Sequence, residues 1–227
     1  MLNIAQNLNH VNASINKIKH DATVEVVAVS KTFSEQLIQN AYDCGQRKFG
    51  ENYPQELSRK ALQLNDLNIE WHFIGNIQSN KTQLIAKYAS WVHTITQFHH
   101  AKRLNDQRPA NLPPLQVLIE VNISQEQNKL GINNLHELIR LVQEISTLPR
   151  LKLRGLMGIA SNSHDPQQIK AQFQQLNTYL TQLNTYNSSQ LDQLSMGMSQ
   201  DYPLAIEAGA TLLRIGSHIF GARTYEN

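Results

Sequence analysis

The 227-residue sequence predicts an α/β fold: a single (β/α)8 TIM barrel spanning residues 1–227, with an additional helix at the N-terminus. Three observations carry that prediction. Short β-type runs alternate with longer helical ones through eight repeats, and several of the runs, those at 24–29 and 115–121 among them, are apolar on both faces, as strands of a covered parallel sheet are. The length suits one barrel of roughly 200–250 residues and leaves little room for a second domain. Eight units favour ring closure over an open sheet.

Taken in order, Ile4, Leu8, Val11, Ile15 and Ile18 recur at helical spacing and form one apolar stripe, so a helix precedes the first strand. Strands are then expected at 24–29, 48–50, 69–75, 91–95, 115–121, 153–159, 194–197 and 212–216. Ser34 caps the helix that carries Leu37 and Ile38, and Gly45 stops it. Pro54 opens the second helix, Asp165-Pro166 opens a long one, and Gly209 closes the last. The sequence closes with Gly221 to Asn227, which leaves no length for an ordinary eighth helix, so the N-terminal helix is expected to help cover the gap.

Composition narrows the partners. Hydrophobic residues make up 41% and charged residues 17%, and twenty Lys+Arg against 18 Asp+Glu give a net charge of +2, too balanced for a nucleic-acid footprint or an anionic membrane surface. Small anions remain suitable ligands. Cys44 is the only cysteine, which excludes an internal disulfide and a cysteine-rich metal site; it is expected to be a small buried residue near a helix end. Met1 to Gln6 lack the charged start and apolar core of a secretion signal, and no stretch approaches the ~18 apolar residues of a membrane span, so a cytoplasmic protein is expected.

Barrels of this kind work at the C-terminal ends of their strands, and Lys31 stands just beyond the first strand with an apolar run behind it. A lysine in partly apolar surroundings keeps more of its amine neutral and able to attack an aldehyde. The plain alternative is a surface lysine at a strand end. Gly216 and Ser217 follow the eighth strand and Ser199 ends the seventh, the two loops that usually hold phosphate in a barrel. Taken singly, Gly216 could be a packing glycine and Ser199 a helix cap.

Arg214 lies two residues before Gly216 and therefore shares its face, assigned to the barrel interior. A guanidinium has five donors and no acceptor, so against a pyridine nitrogen it can only donate to the lone pair, which keeps that nitrogen unprotonated and the ring a weaker electron sink. Its alternative is an internal salt bridge to Glu120 or another rim carboxylate. An amine, a phosphate cradle and an arginine together describe a seat for pyridoxal 5'-phosphate (PLP).

Several longer segments add to this: Val29-Ser30-Lys31, Phe49-Gly50-Glu51-Asn52-Tyr53, Trp71-His72-Phe73-Ile74-Gly75 with Gln78-Ser79-Asn80-Lys81, Leu153-Arg154-Gly155-Leu156-Met157, Ser195-Met196-Gly197-Met198-Ser199, and Arg214-Ile215-Gly216-Ser217 leading into Ile219-Phe220-Gly221. On these segments, in this order, essentially the whole chain resembles the pyridoxal phosphate homeostasis protein family, PLP-binding proteins with a fold type III barrel of the alanine racemase N-terminal domain type. The resemblance implies that Lys31 holds PLP as a Schiff base, that Ser199, Gly216 and Ser217 bind its phosphate, that Arg214 faces the pyridine nitrogen and that Asn52 lines the pocket. Asn76-Ile77 after Gly75 departs from the family pattern and affects the local loop shape.

His72 and His93 are expected to serve packing and hydrogen bonding, while His99 and His100, adjacent on a helix, should diverge. No His-Glu-x-x-His pair suggests zinc, and no metal is expected. The stretch from Glu126 to Lys129 is expected to be an exposed rim loop. A racemase on this barrel needs a second base, which the resembling racemases place through an additional β domain of a partner subunit; Tyr53, Tyr202 and Tyr225 offer no assigned substitute. The expectation is a non-catalytic, monomeric PLP-binding protein that buffers PLP or delivers it to PLP-requiring apo-enzymes, with no assigned catalytic residue. The rivals are a PLP-dependent racemase-like enzyme, a Schiff-base aldolase acting on a phosphorylated sugar, and an interaction protein with a vestigial pocket.

Overall fold

The computed structural model describes residues 3–18, 23–186 and 190–222. Its strands are β1 (Glu25–Val29), β2 (Lys48–Glu51), β3 (Glu70–Phe73), β4 (Trp91–Ile95), β5 (Leu115–Val121), β6 (Leu151–Gly158), β7 (Gln193–Met198) and β8 (Leu212–Ile215). Each pairs in parallel with the next, and β8 pairs with β1 through registers such as Val27 with Arg214, so the sheet closes into the expected barrel. β6 begins two residues before its expected start because it pairs with β5 from Leu115 and Leu151 onward. The helices are α1 (Ile4–Ile18), α2 (Glu35–Asp43), α3 (Pro54–Gln63), α4 (Thr82–Tyr88), α5 (Phe98–Gln107), α6 (Leu135–Ser146), α7 (Pro166–Tyr186), α8 (Tyr202–Glu207) and α9 (Ser217–Phe220), with a 3-10 turn at Ser79–Lys81.

Local chemistry explains most of the boundaries. Pro54 and Pro166 open α3 and α7, where their missing N–H costs nothing, and Asp165 accepts the Gln167 N–H at 2.9 Å. Ser34 stands at the N-cap of α2 without making a capping bond. Gly45 takes φ +96°, the left-handed conformation that ends a helix. Cys44 is exposed rather than buried: α2 ends at Asp43, and the chain turns away before the face of Ile38 and Ala41 can continue.

The N-terminal helix does cover the barrel beside the short helix that follows β8. α9 has only four residues, and α1 packs on it and on α8 with Ile4, Leu8, Val11 and Ile15 buried. The Asn7 side chain donates to the Ile219 carbonyl at 2.9 Å, tying the two ends of the chain together. Leu8→Ala is expected to lower the unfolding free energy by about 2–4 kcal/mol in urea titration, the range for emptying a buried leucine site; a loss under about 0.5 kcal/mol would mean that α1 is not docked.

Inside the barrel, alternation along each strand sorts the side chains into layers. Val27, Trp91, Leu118, Met157 and Leu212 form an apolar plug, separate from the larger core between strands and helices. Beneath the plug lies a charged floor in which Lys48 pairs with Glu70 at 2.6 Å and Glu25 at 3.3 Å, and Arg154 pairs with Asp192 at 2.6 Å. Above it the barrel opens into a cleft at the C-terminal strand ends.

Candidate functional site

All six residues singled out from the sequence, Lys31, Asn52, Ser199, Arg214, Gly216 and Ser217, line this cleft, whose volume is about 890 Å³. Lys31 follows β1, Asn52 follows β2, Ser199 follows β7, and β8 carries Arg214 and runs into Gly216 and Ser217. Gly216 is the N-cap of α9, and its carbonyl accepts from the Ile219 and Phe220 N–H groups, both at 2.9 Å. The opposite wall comes from the loops after β5 and β6, including Lys129, Ile159, Ser161 and His164. Glu126 is exposed, as expected, and pairs with Lys129 at 2.6 Å. Asn52 Oδ1 is buried with no hydrogen-bond partner among the described residues. A Cβ on Gly75 would lie 1.9 Å from the Asn52 carbonyl oxygen, so only glycine there lets Asn52 keep its place.

The turn that presents Lys31 is held from below by a buried ion cluster. Thr32 has φ +68°, an uncommon conformation for a β-branched residue that the surroundings must stabilise. Its N–H donates to Glu56 Oε1 at 2.7 Å, and the Ser30 hydroxyl donates to Glu51 Oε1 at 2.6 Å. Lys60 reaches up from α3 and directs its ammonium at the Ser30 carbonyl (2.7 Å), Glu51 Oε1 (2.8 Å) and Glu56 Oε1 (2.8 Å). Lys60 and Glu51 are fully buried. Three acceptors match the three protons of the ammonium.

Two carboxylates thus share one cation, and Glu51 is the more deeply buried of them. Burial pushes its pKa up to about 7 against the pull of Lys60 and Ser30. The folded protein therefore retains, between about pH 4.5 and 7, a proton that the unfolded chain has already released. Stability from this group is complete below the unfolded pKa and is lost as pH rises through the folded one. The stability of the wild type relative to Glu51→Gln should accordingly fall between pH 5 and 8 in denaturant titrations. A difference that rises over that range would contradict the assignment.

Arg214, only 5% exposed, donates from Nη1 to Ser195 Oγ at 2.8 Å and from Nη2 to the Gly158 carbonyl at 3.0 Å. Burial lowers its pKa to about 10, which leaves it charged at neutral pH, and Asp201 and Glu120 act on it as nearby charges. The Arg214 guanidinium thus bonds to neutral oxygens and not to Glu120, whose Oε2 is buried without a hydrogen-bond partner among the described residues. Ser199 is not a helix cap either, since Asp201 occupies that position on α8.

His72 and His93 are buried and hydrogen-bonded, as expected. His99 and His100 do not diverge. Their rings lie 4.0 Å apart, because both sit in the first turn of α5 and both meet Ser79 Oγ, at 3.0 and 3.2 Å. Among the described residues no group of three or more His, Cys, Asp or Glu side chains is placed to hold a metal ion. Tyr53 is exposed outside the cleft, Tyr202 is buried against His218, and Tyr225 falls outside the described residues.

Comparison with known proteins places the chain. The family model for the alanine racemase N-terminal domain matches residues 3–224. The pyridoxal phosphate homeostasis protein of Vibrio alginolyticus is 47% identical over 99% of this chain and 100% of its own length. That of Vibrio cholerae is 48% identical over 99% and 98%. The chain belongs to the pyridoxal phosphate homeostasis protein family. Among solved structures, PipY of Synechococcus elongatus with PLP bound superposes with a TM-score of 0.86 at 32% identity, covering 96% of this chain and all of that one. Alanine racemase from E. faecalis shares the fold, with a TM-score of 0.69 at 14% identity, over 97% of this chain and 58% of its own.

Sequence reasoning found the cleft residues of this family member but not the cluster beneath Lys31. The i, i+4 spacing of Glu56 and Lys60 was the one available signal, and on a helix it describes an ordinary surface pair equally well.

Proposed function

We propose that this chain binds pyridoxal 5'-phosphate at the barrel mouth and serves its homeostasis, holding the cofactor covalently on Lys31 and releasing it to PLP-requiring apo-enzymes. The observation that carries this reading is the convergence of an amine, two serine hydroxyls, a charged guanidinium and an unpartnered Asn52 oxygen on one cleft. These groups fit the molecule. Ser199, Gly216 and Ser217 would hold the phosphate through hydroxyl and backbone donors, Arg214 would direct a donor at the ring nitrogen, and Asn52 would border the ring. When bound, PLP supplies an aldehyde that condenses with primary amines and a ring that withdraws electrons.

The protein's own groups argue for holding over turnover. Arg214 stays charged and has no proton acceptor, so it leaves the ring nitrogen unprotonated and restrains electron withdrawal. Among the described residues no tyrosine, the residue type that the resembling racemases use as a second base, lines the cleft. The same reading makes the protein a cytoplasmic, single-domain monomer; no described helix is long and apolar enough to cross a membrane.

The test is direct: purified protein titrated with PLP should develop a visible absorption band that borohydride bleaches, and should racemise or transaminate amino acids no faster than free PLP. Failure to take up PLP would overturn the binding reading, and sustained turnover would overturn the carrier reading.

A further inference from the structure

A continuous buried hydrogen-bond chain crosses the barrel from its charged floor to the cleft. Glu70 Oε1 on the floor lies 3.0 Å from His72 Nε2, His72 Nδ1 lies 2.8 Å from His93 Nε2, and His93 Nδ1 lies 2.8 Å from Ser195 Oγ. Ser195 Oγ in turn receives Arg214 Nη1 at 2.8 Å. His72, His93 and Ser195 have no exposed surface. Four strands, β3, β4, β7 and β8, thus contribute to one line of contacts through an otherwise apolar interior.

The two ends of this line fix the direction of every bond in it. An ionised carboxylate can only accept and a guanidinium can only donate. Glu70 is ionised: burial alone would raise its pKa, but the donors His72 and Lys48 outweigh that and bring it to about 2. His72 must then donate from Nε2, which leaves Nδ1 of a neutral ring to accept from His93 Nε2–H. His93 Nδ1 is left to accept the Ser195 hydroxyl proton, and Ser195 oxygen accepts from Arg214. Each link has one donor and one acceptor, with no proton missing and none to spare.

A further proton on His72 would face the His93 N–H across the 2.8 Å contact. Burial lowers the pKa of both rings, and for His93 the neighbouring His72 and Arg214 lower it further. The other charged groups around the chain are Lys48 and Glu25 at the floor, Arg154 over the Trp91 ring that stacks on His72, and Glu120 and Asp201 beside Arg214.

We propose that Glu70, His72, His93 and Ser195 are positioning residues for Arg214: a one-way donor chain that fixes the orientation of its guanidinium and couples its charge to a carboxylate at the opposite end of the barrel. Resting on the PLP reading above, this makes the chain the element that sets how strongly Arg214 donates to the ring nitrogen. Ser195 is the decisive link. Without its hydroxyl, Arg214 Nη1 and His93 Nδ1 both lose a partner inside the barrel, whereas threonine keeps the same donor and acceptor.

Two measurements test this. In the protein without PLP, ¹⁵N NMR of the histidine rings should find His72 and His93 as neutral Nε2–H tautomers that do not titrate between pH 5 and 8. In the PLP-loaded protein, Ser195→Ala should move the pH midpoint of the bound-PLP absorption band by about one unit, and Ser195→Thr should restore it. An Nδ1–H tautomer or a titrating ring overturns the chain. A Ser195→Ala protein that binds PLP with an unchanged band and midpoint overturns its coupling to Arg214. Should the wild type take up no PLP, the cofactor reading fails instead, and the ring tautomers of the unloaded protein still decide whether the chain exists, whichever variants fold.

Discussion

Replacing Lys60 with methionine is expected to lower the unfolding free energy by about 3–5 kcal/mol, the range found when one partner of a buried ion pair is removed. Methionine matches the length of the lysine stem, so the loss isolates the ammonium from its packing. Glu51 would be left fully buried beside Glu56 with no cation between them, and the carbonyl of Ser30 would keep only the Phe33 N–H as donor. Denaturant titration at neutral pH reads the effect, and a loss under about 1 kcal/mol would place this cluster among ordinary surface pairs. Adding Glu51→Gln to Lys60→Met should recover part of the loss, because the two changes touch one contact and do not add. The cluster also holds the strained Thr32 turn, so the same substitution should slow covalent uptake of PLP by Lys31.

Lys31→Ala should abolish borohydride-trappable PLP altogether while leaving weaker, reversible binding through Ser199, Gly216, Ser217 and Arg214. The two halves of this prediction separate roles that one cleft combines. Among the residues lining the cleft, Lys31 stands on the β1 side and Lys129 on the opposite wall, so the position of the adduct tells the two amines apart. Equilibrium dialysis and absorbance after borohydride treatment read the two halves independently. An undiminished trapped adduct would assign the attachment to another lysine.

The barrel was legible in the sequence because its signals are local. An apolar run between helical stretches is visible within a few residues, and helix-ending glycines such as Gly45 announce themselves by composition. The cleft residues were legible for a related reason: strand ends of a barrel converge on one rim, so Lys31 after β1 and Ser217 after β8 meet whatever their separation in the chain. Interactions between elements were not legible. Nothing near Lys60 states that its ammonium reaches the Ser30 carbonyl, and nothing near His72 or His93 states that they meet Ser195 across the interior. Two neighbouring-residue expectations failed for the same reason. Cys44 is exposed because α2 stops before it, and His99 and His100 converge because Ser79, twenty residues away, meets both rings.

Local and distant information join at Arg214. Strand periodicity placed it inward with Gly216, and the structure adds what holds it there: Ser195 Oγ and the Gly158 carbonyl, not a carboxylate. A guanidinium anchored by neutral oxygens keeps its charge available to the cleft.

Peptide mapping by mass spectrometry, after PLP loading and borohydride reduction of the wild-type protein, tests the central claim most directly. A single pyridoxyl-phosphate adduct on the peptide carrying Lys31 is the predicted result. An adduct confined to Lys129 or any other lysine, or no adduct at saturating PLP, would contradict it.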